Sequence, residues 1–333
     1  MDAFLELSRD ERRLMCENAR AALGLAAASI EKDFWVSWTL RELFALPEWG
    51  QHLTFKGGTS LSKAWNLIER FSEDIDVVID RDFLGFPGER FTRGQLDKLK
   101  SACGRRIKDD LLPALNEHIA KRLRASVDWT LEAAGPDDDP DLQTLLFRYP
   151  TTFADTARYS KPVARIELGA RSETEPAQRP EMRPLLAEAF PKALTKAAFA
   201  IRTVAARRTF WEKAMLLHEE TYRPAGKPRK ARMSRHYYDL WCLITKGVAA
   251  EAVQDEGLFG RVAAHRRMFF RYGWMDYATL SKGRLRIMPL PEQEGAWRQD
   301  YAAMSGEMFF RDPPPFDAVL KTVANFQSEF NQA

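Results

Sequence analysis

The segment Phe55–Asp80, FKGGTSLSKAWNLIERFSEDIDVVID, limits what this chain can fold into more than any other stretch. A strand-like run, HLTFKGG (52–58), closes on two glycines, an amphipathic helical pattern follows, and a second strand pattern carries Asp74 and Asp76. Thr59 or Ser60 stands where a helix N-cap is expected, and Leu61, Ala64, Trp65 and Ile68 form the apolar stripe of that helix. Residues two apart in a strand share a face, so the two carboxylates converge while Ile75, Val77 and Ile79 turn to a core. Paired acids both stay ionised most readily beside a cation. An oxygen-only set suits Mg²⁺ or Mn²⁺, with phosphate oxygens and waters completing the shell. Gly57 and Gly58 let the backbone approach a ligand with no Cβ in the way, and a helix start presents N–H groups to an anion. The order thus sets a phosphate cradle beside two acids, as an enzyme holding a metal-bound nucleoside triphosphate requires. Each half alone has a plainer explanation: Asp-X-Asp is common on solvated strand faces, and glycine pairs often only join a strand to a helix.

The rest of the chain reads as α+β followed by α. Helical periodicity covers 8–24 and 30–46, the latter through Phe34, Trp35, Trp38, Leu40, Leu43 and Phe44. A long helical stretch runs from about 93 to 125, and strands are expected at 126–133, 144–150 and 162–170 around the turn-rich acidic loop GPDDDPD (135–141). A polar loop occupies 171–181, and Pro180, Pro184 and Pro191 mark irregular connections. From about 196 the pattern turns helical and stays so to the end. Two lobes are expected, 1–205 and 206–333, which suits a chain of 333 residues with 45% hydrophobic and 29% charged side chains. No window approaches the ~18 uninterrupted apolar residues of a membrane span, and MDAFLELSRDERRLMC lacks the layout of a signal peptide. Cys16, Cys103 and Cys242 are too scattered for a disulfide framework or a metal knuckle. The expectation is a cytoplasmic protein with reduced thiols and no membrane partner.

Three further residues are candidates for chemistry. Glu167 lies in the apolar strand pattern VARIELGA, where an unpaired acid would be costly to bury. A salt bridge to Arg165 or Arg171 and a role as metal ligand or base are both open. Lys213 sits at the border of the apolar face of FWEKAMLLHEE, as a snorkelling surface lysine or a point charge for a triphosphate. Asp239 opens the aromatic-rich helix of SRHYYDLWCLI, either as a first-turn acid or as a partner of Lys213 or of a substrate hydroxyl. The five histidines have no ligand spacing, which argues against zinc. Fifty Lys and Arg against 47 Asp and Glu give a net charge of only +3, but RPAGKPRKARMSR (223–235) carries six basic residues and no acid. That run is either a solvated loop or a phosphate-binding arm.

KGGTSLSKA followed by RFSEDIDV, a later EK helix and a YYDL helix resemble the AbiEii-type nucleotidyltransferases, toxin partners of type IV toxin–antitoxin and abortive-infection systems. The likeness spans about 31 to 245 and is strongest at 55–78. It implies a polymerase-β-like nucleotidyltransferase lobe, with a mixed sheet flanked by helices, and a mainly helical C-terminal lobe. On that pattern Lys56, Gly57, Gly58, Thr59, Ser60 and Ser72 would hold the triphosphate of an NTP, and Asp74 and Asp76 would bind Mg²⁺ or Mn²⁺. Glu167 would fit the third-carboxylate strand, Lys213 the C-lobe lysine and Asp239 the acid of the last motif, where HYYDL puts His236 in a place often held by Arg or Lys. The resemblance further implies NMP transfer to the 3′ end of a tRNA and a cognate antitoxin from an adjacent gene. The basic loop with Arg207, Arg208, Arg266 and Arg267 would grip the RNA. NMP transfer to Ser, Thr or Tyr of a partner protein is the alternative of the same chemistry, and a catalytically silent nucleotide-binding module the alternative without it.

Overall fold

The structure, a computed structural model, describes residues 1–123, 127–154, 162–305, 308–309 and 312–332. Two compact units divide the chain: Met1–Ala64 with Ser72–Thr203, and Trp65–Phe71 with Val204–Ala333.

In the first unit three helices precede the sheet: α1 (Asp2–Glu6), α2 (Arg9–Leu23) and α3 (Ala27–Phe44). A reciprocal Ser8–Glu11 capping box opens α2, and Gly24, at φ 68°, closes it. The apolar residues of α3 (Phe34, Trp35, Trp38, Leu40 and Leu43) are all buried. Strand β1 (Leu53–Lys56) runs directly into α4 (Gly57–Lys63), and β2 (Asp74–Ile79) follows. The expected long helix is α5 (Arg93–Arg106) and α6 (Leu112–Arg122), joined through one π-helical turn at Ile107–Leu111. Residues 124 and 125 of that expectation, and Ser126 at the start of the next, lie outside the described residues.

Strands β3 (Thr130–Ala133), β4 (Thr144–Arg148) and β5 (Val163–Gly169) come next, then the short β6 (Ala177–Gln178), β7 (Glu181–Met182), helix α7 (Leu185–Ala189), β8 (Phe199–Ala200) and β9 (Thr203–Val204). Seven of these strands form one mixed sheet in the order β3-β4-β5-β2-β1-β9-β6. Strand β2 is antiparallel to β1 and parallel to β5, and β4 is antiparallel to both its neighbours. Alternation sets the faces: Ile75, Val77, Ala164, Ile166 and Leu168 are buried, while Asp74, Asp76, Arg165 and Glu167 share the more open face.

Two expectations need correction. Helix α4 begins on Gly57 and ends at Lys63, so Thr59 and Ser60 lie inside it instead of capping it, and Trp65 and Ile68 lie beyond it. Asn66, at φ 52°, adopts a left-handed backbone that a helix cannot continue through. Residues 196–204 are not helical either, because Phe199–Ala200 pairs with Glu181–Met182 and Thr203 pairs with Phe55.

The second unit is helical: α8 (Ala206–Thr221), α9 (Arg235–Thr245), α10 (Val248–Gln254), α11 (Leu258–Phe269), α12 (Pro291–Ser305) and α13 (Phe316–Gln332). The helical pattern is interrupted between α11 and α12, where a single 3₁₀ turn at Tyr277–Thr279 stands in an irregular connection. Its core is aromatic, with Trp211 against Phe259, Phe326 and Phe330, and Tyr237 against Trp297 and Phe316. The segment Trp65–Phe71 is held within this unit: the Trp65 indole donates to Val204 O at 3.1 Å and Phe71 N to Met308 O at 2.6 Å. No described helix is long and apolar enough to cross a membrane.

Candidate active site

Sheet register gathers the candidate acids of β2 and β5 into two rows. Lys56 of β1, Asp76 of β2, Glu167 of β5 and Thr144 of β4 are successive cross-strand neighbours, and Asp74 pairs with Arg165 in the row beside them. Side chains in register on adjacent strands point to the same face. The turn into α4 adds the third dimension. Gly57 has φ +80°, and a Cβ built there would lie 1.9 Å from Asp76 Oδ2 and 2.6 Å from its Cγ. Any side chain at 57 would therefore be doubly excluded, by backbone conformation and by the carboxylate that occupies its space. Gly58 is the second residue of α4.

The hydroxyls of the cradle bind within the protein. Thr59 Oγ1 donates to Asp74 O at 2.5 Å, which leaves Ser72 Oγ, 2.9 Å away, as donor to Thr59. Ser60 Oγ donates to Gly57 O at 2.8 Å, and both Thr59 and Ser60 are fully buried. These bonds tie α4 to the start of β2 and hold the turn shut. Lys56 Nζ donates to Ser172 Oγ at 2.9 Å, in the loop after β5.

Glu167 is half-exposed and accepts from Arg165 Nε at 2.8 Å, so the salt bridge foreseen for it is present. Among the described residues no three His, Cys, Asp or Glu side chains gather as a metal cage. Asp74 and Asp76 still fit a hard divalent ion that brings its own phosphate oxygens and water, because Mg²⁺ is usually held by one or two carboxylates.

A charged triplet on α3, not singled out from the sequence, braces this centre. Lys32 pairs with Glu73, the residue before Asp74, and Asp33 pairs with Lys63, the last residue of α4. Asp33 Oδ2 also accepts from Leu185 N at 2.7 Å, and Glu31 accepts from Thr151 Oγ1 and from both Thr152 N and Oγ1 at 2.5–2.8 Å. All three charged residues are buried. Their legible signal was three consecutive charges inside the apolar run IEKDFWVSWTL.

The second unit holds a compact ionic group. Asp239 Oδ1 accepts from Arg70 Nε at 2.7 Å, and Oδ2 accepts from Arg70 Nη2 and from Lys213 Nζ, both at 2.8 Å. His236 Nδ1 lies 3.4 Å from Lys213 Nζ. Burial works to raise the Asp239 carboxyl, but the charges of Arg70 and Lys213 outweigh it and hold it well below the usual range. Burial lowers the Lys213 ammonium, against the pull of Asp239, and lowers the His236 imidazole far enough to keep it neutral near pH 7. Lys213 is thus no snorkelling surface lysine, and Asp239, the fifth residue of α9, is no first-turn acid. Arg70, missed from sequence, supplies two of the three bonds to Asp239.

The family model of the nucleotidyl transferase AbiEii toxin, Type IV TA system, matches residues 38–322. The chain belongs to that family. No curated protein matches it individually. The match takes in both glycines, both aspartates, Glu167, Arg70, Lys213 and Asp239, while the α3 triplet at 31–33 precedes it. An AbiEii-family chain is thereby a nucleotidyltransferase toxin of a type IV system, on an α+β fold with a helical C-terminal region.

Two of the arginines expected to grip a polyanion in this AbiEii-family protein do other work. Arg208 is fully buried and pairs with Glu212 at 3.1 Å, while Arg266 is buried, chelates Glu219 and lies 4.3 Å from the centre of the Phe270 ring. The charge of each is met by a carboxylate within its own helical unit. Arg207 pairs with Asp255 at 2.7 Å, and Arg267 is exposed. The basic run 223–235 is partly pinned: Arg223 and Arg229 pair with Glu220, Arg229 stacks on Trp297, and Asp300 accepts from Arg232 N and Ser234 N. Lys227 and Lys230 remain exposed at its tip.

Proposed function

We propose that this protein is a Mg²⁺- or Mn²⁺-dependent toxin that transfers a nucleoside monophosphate from an NTP to the 3′-hydroxyl of a tRNA. The observation that supports this best is the Asp76 carboxylate lying against Gly57, which sets a metal-type acid directly at the phosphate cradle. When bound, the ion supplies charge neutralisation at the α-phosphate. Asp74 and Asp76 hold it by their carboxylates, and Gly57 and Gly58 offer a backbone surface to the triphosphate. The acceptor oxygen attacks the α-phosphorus in line, so that its new P–O bond forms as the bond to the β-phosphate breaks and pyrophosphate leaves.

Lys213 carries positive charge for the leaving pyrophosphate. Glu167, half-exposed on the same sheet face as the two aspartates, takes the acceptor's proton. Asp239 is a poor base, because Arg70 and Lys213 hold it ionised. Exposed cations, Arg267, Lys227 and Lys230 among them, attract the RNA backbone. A type IV toxin has a cognate antitoxin, and the adjacent gene is where to find it.

Incubating the full-length protein with each of four labelled NTPs, Mg²⁺, total tRNA and cell protein tests this reading. Label should enter tRNA with wild-type enzyme and not with Asp74→Asn or Asp76→Asn. Label in protein would favour the Ser/Thr/Tyr-modifying alternative, and nucleotide binding with no labelled acceptor would favour a silent module. Growth arrest on expression, relieved by the neighbouring gene, tests the toxin role.

A further inference from the structure

The buried group around Asp239 does not balance its charge. Arg70 is 2% exposed, Asp239 0% and Lys213 7%, and the three hold two cations against one anion. His236 beside them is neutral, burial raises Tyr238 and Cys242 so that both stay uncharged, and Arg235 adds positive charge from α9. A surplus charge in a water-poor setting is costly until an ion of opposite sign arrives.

Bond geometry says which cation carries the surplus. Arg70 meets Asp239 as a fork, Nε on Oδ1 and Nη2 on Oδ2, the bidentate arrangement that best satisfies a carboxylate. Lys213 makes one bond to a carboxylate already filled by the guanidinium. An ammonium has three donors. Asp239 takes one and His236 Nδ1 weakly engages a second, so among the described residues one stays available to an outside oxyanion. Arg70 is itself fixed, since its Nη1 donates to Phe71 O at 3.2 Å and it bridges to Phe309.

We propose that Arg70 is a positioning residue that reserves Lys213 for a phosphate oxyanion: by satisfying Asp239 it leaves the Lys213 charge without an anion of its own and with a donor to give. The oxyanion is assigned to a triphosphate or pyrophosphate, and that assignment rests on the nucleotidyl-transfer reading above. Without Arg70, Asp239 and Lys213 become a closed neutral pair. Removing the carboxylate charge as well returns the surplus to Lys213.

Titration calorimetry of the full chain with inorganic tripolyphosphate tests this without turnover, with thermal melts confirming folding. Arg70→Met should weaken tripolyphosphate binding about 10- to 100-fold, and Arg70→Met/Asp239→Asn should recover to within about threefold of wild type. Arg70→Lys, which keeps the charge but not the fork, should fall between wild type and Arg70→Met and serves if the Met variant does not fold. A merely structural arginine predicts the reverse, a double variant no better than the single one. Unchanged binding in Arg70→Met, unchanged binding in Arg70→Lys where only that variant folds, or no recovery in the double variant, overturns the proposal. If the binding pattern holds while the four-NTP assay labels nothing, Arg70 keeps its role and the nucleotidyl-transfer reading falls.

Discussion

The carboxylate of Asp76 fills the space that a side chain on Gly57 would need: a β-carbon on residue 57 would stand 1.9 Å from Asp76 Oδ2. Glycine and aspartate are therefore a single structural choice. Gly57→Ala would force a non-glycine residue to φ +80°, at about 1–2 kcal/mol, and push the carboxylate off its place. Displacements of this size at a reacting centre cost about 100-fold in rate. We expect NMP transfer to fall at least that far while the melting temperature drops by only several degrees. Wild-type turnover in Gly57→Ala would remove Asp76 from the reaction.

Asp76 and Glu167 are neighbours in register, but Glu167 is half-exposed and bridged to Arg165 while Asp76 lies against Gly57, and their variants should differ in kind. Asp76→Asn removes a metal-type ligand and should abolish transfer at every Mg²⁺ concentration. Glu167→Gln should leave the KM for NTP within about twofold and lower kcat by about 100-fold or more. A Glu167→Gln enzyme with an unaltered kcat would reduce Glu167 to the salt bridge it makes with Arg165.

What the sequence carried was what neighbouring residues decide. Alternation in IDVVI and RIEL placed the acids on one face, and the glycine pair marked the turn. The apolar stripe runs on through Trp65 and Ile68 and so extends the helical pattern past the end of α4 at Lys63, while the left-handed backbone of Asn66 bars any continuation. Arg70 was invisible for another reason. Its partner Asp239 lies 169 residues away, and no local periodicity reports a pairing that distant. The α3 triplet was visible as an oddity, but its partners Glu73 and Lys63 come from the fold.

Burial also sorts the arginines into two experimental classes. Arg266→Ala would leave Glu219 buried and unpaired, at about 3–5 kcal/mol, so it should lower the melting temperature and leave the salt dependence of RNA binding intact. Arg267→Ala and Lys227→Ala/Lys230→Ala should do the opposite. We expect stability within about 0.5 kcal/mol of wild type, and a plot of log affinity against log salt that flattens by roughly one unit per phosphate contact removed. RNA binding that ignores salt in the wild-type protein would count against a nucleic-acid acceptor.

His218 makes the helical unit acid-sensitive. Its Nδ1 accepts from Arg286 N at 2.9 Å, which places the proton on Nε2, 3.0 Å from Thr279 Oγ1. Burial, reinforced by the charge of Arg286, lowers its pKa from 6.5 to about 4. Between those values the unfolded chain binds a proton that the folded chain refuses, so stability falls as pH falls from 6.5 to 4 and levels off below. The loss from this residue is about 3 kcal/mol at most. His236, partly buried and held neutral by desolvation and the nearby Lys213 charge, adds to the same slope. His218→Asn, whose amide oxygen can replace Nδ1 as acceptor for Arg286 N, should flatten the slope without erasing it. Urea unfolding at pH 7.5, 6 and 5 measures this directly, and parallel slopes for variant and wild type would clear His218 of the effect.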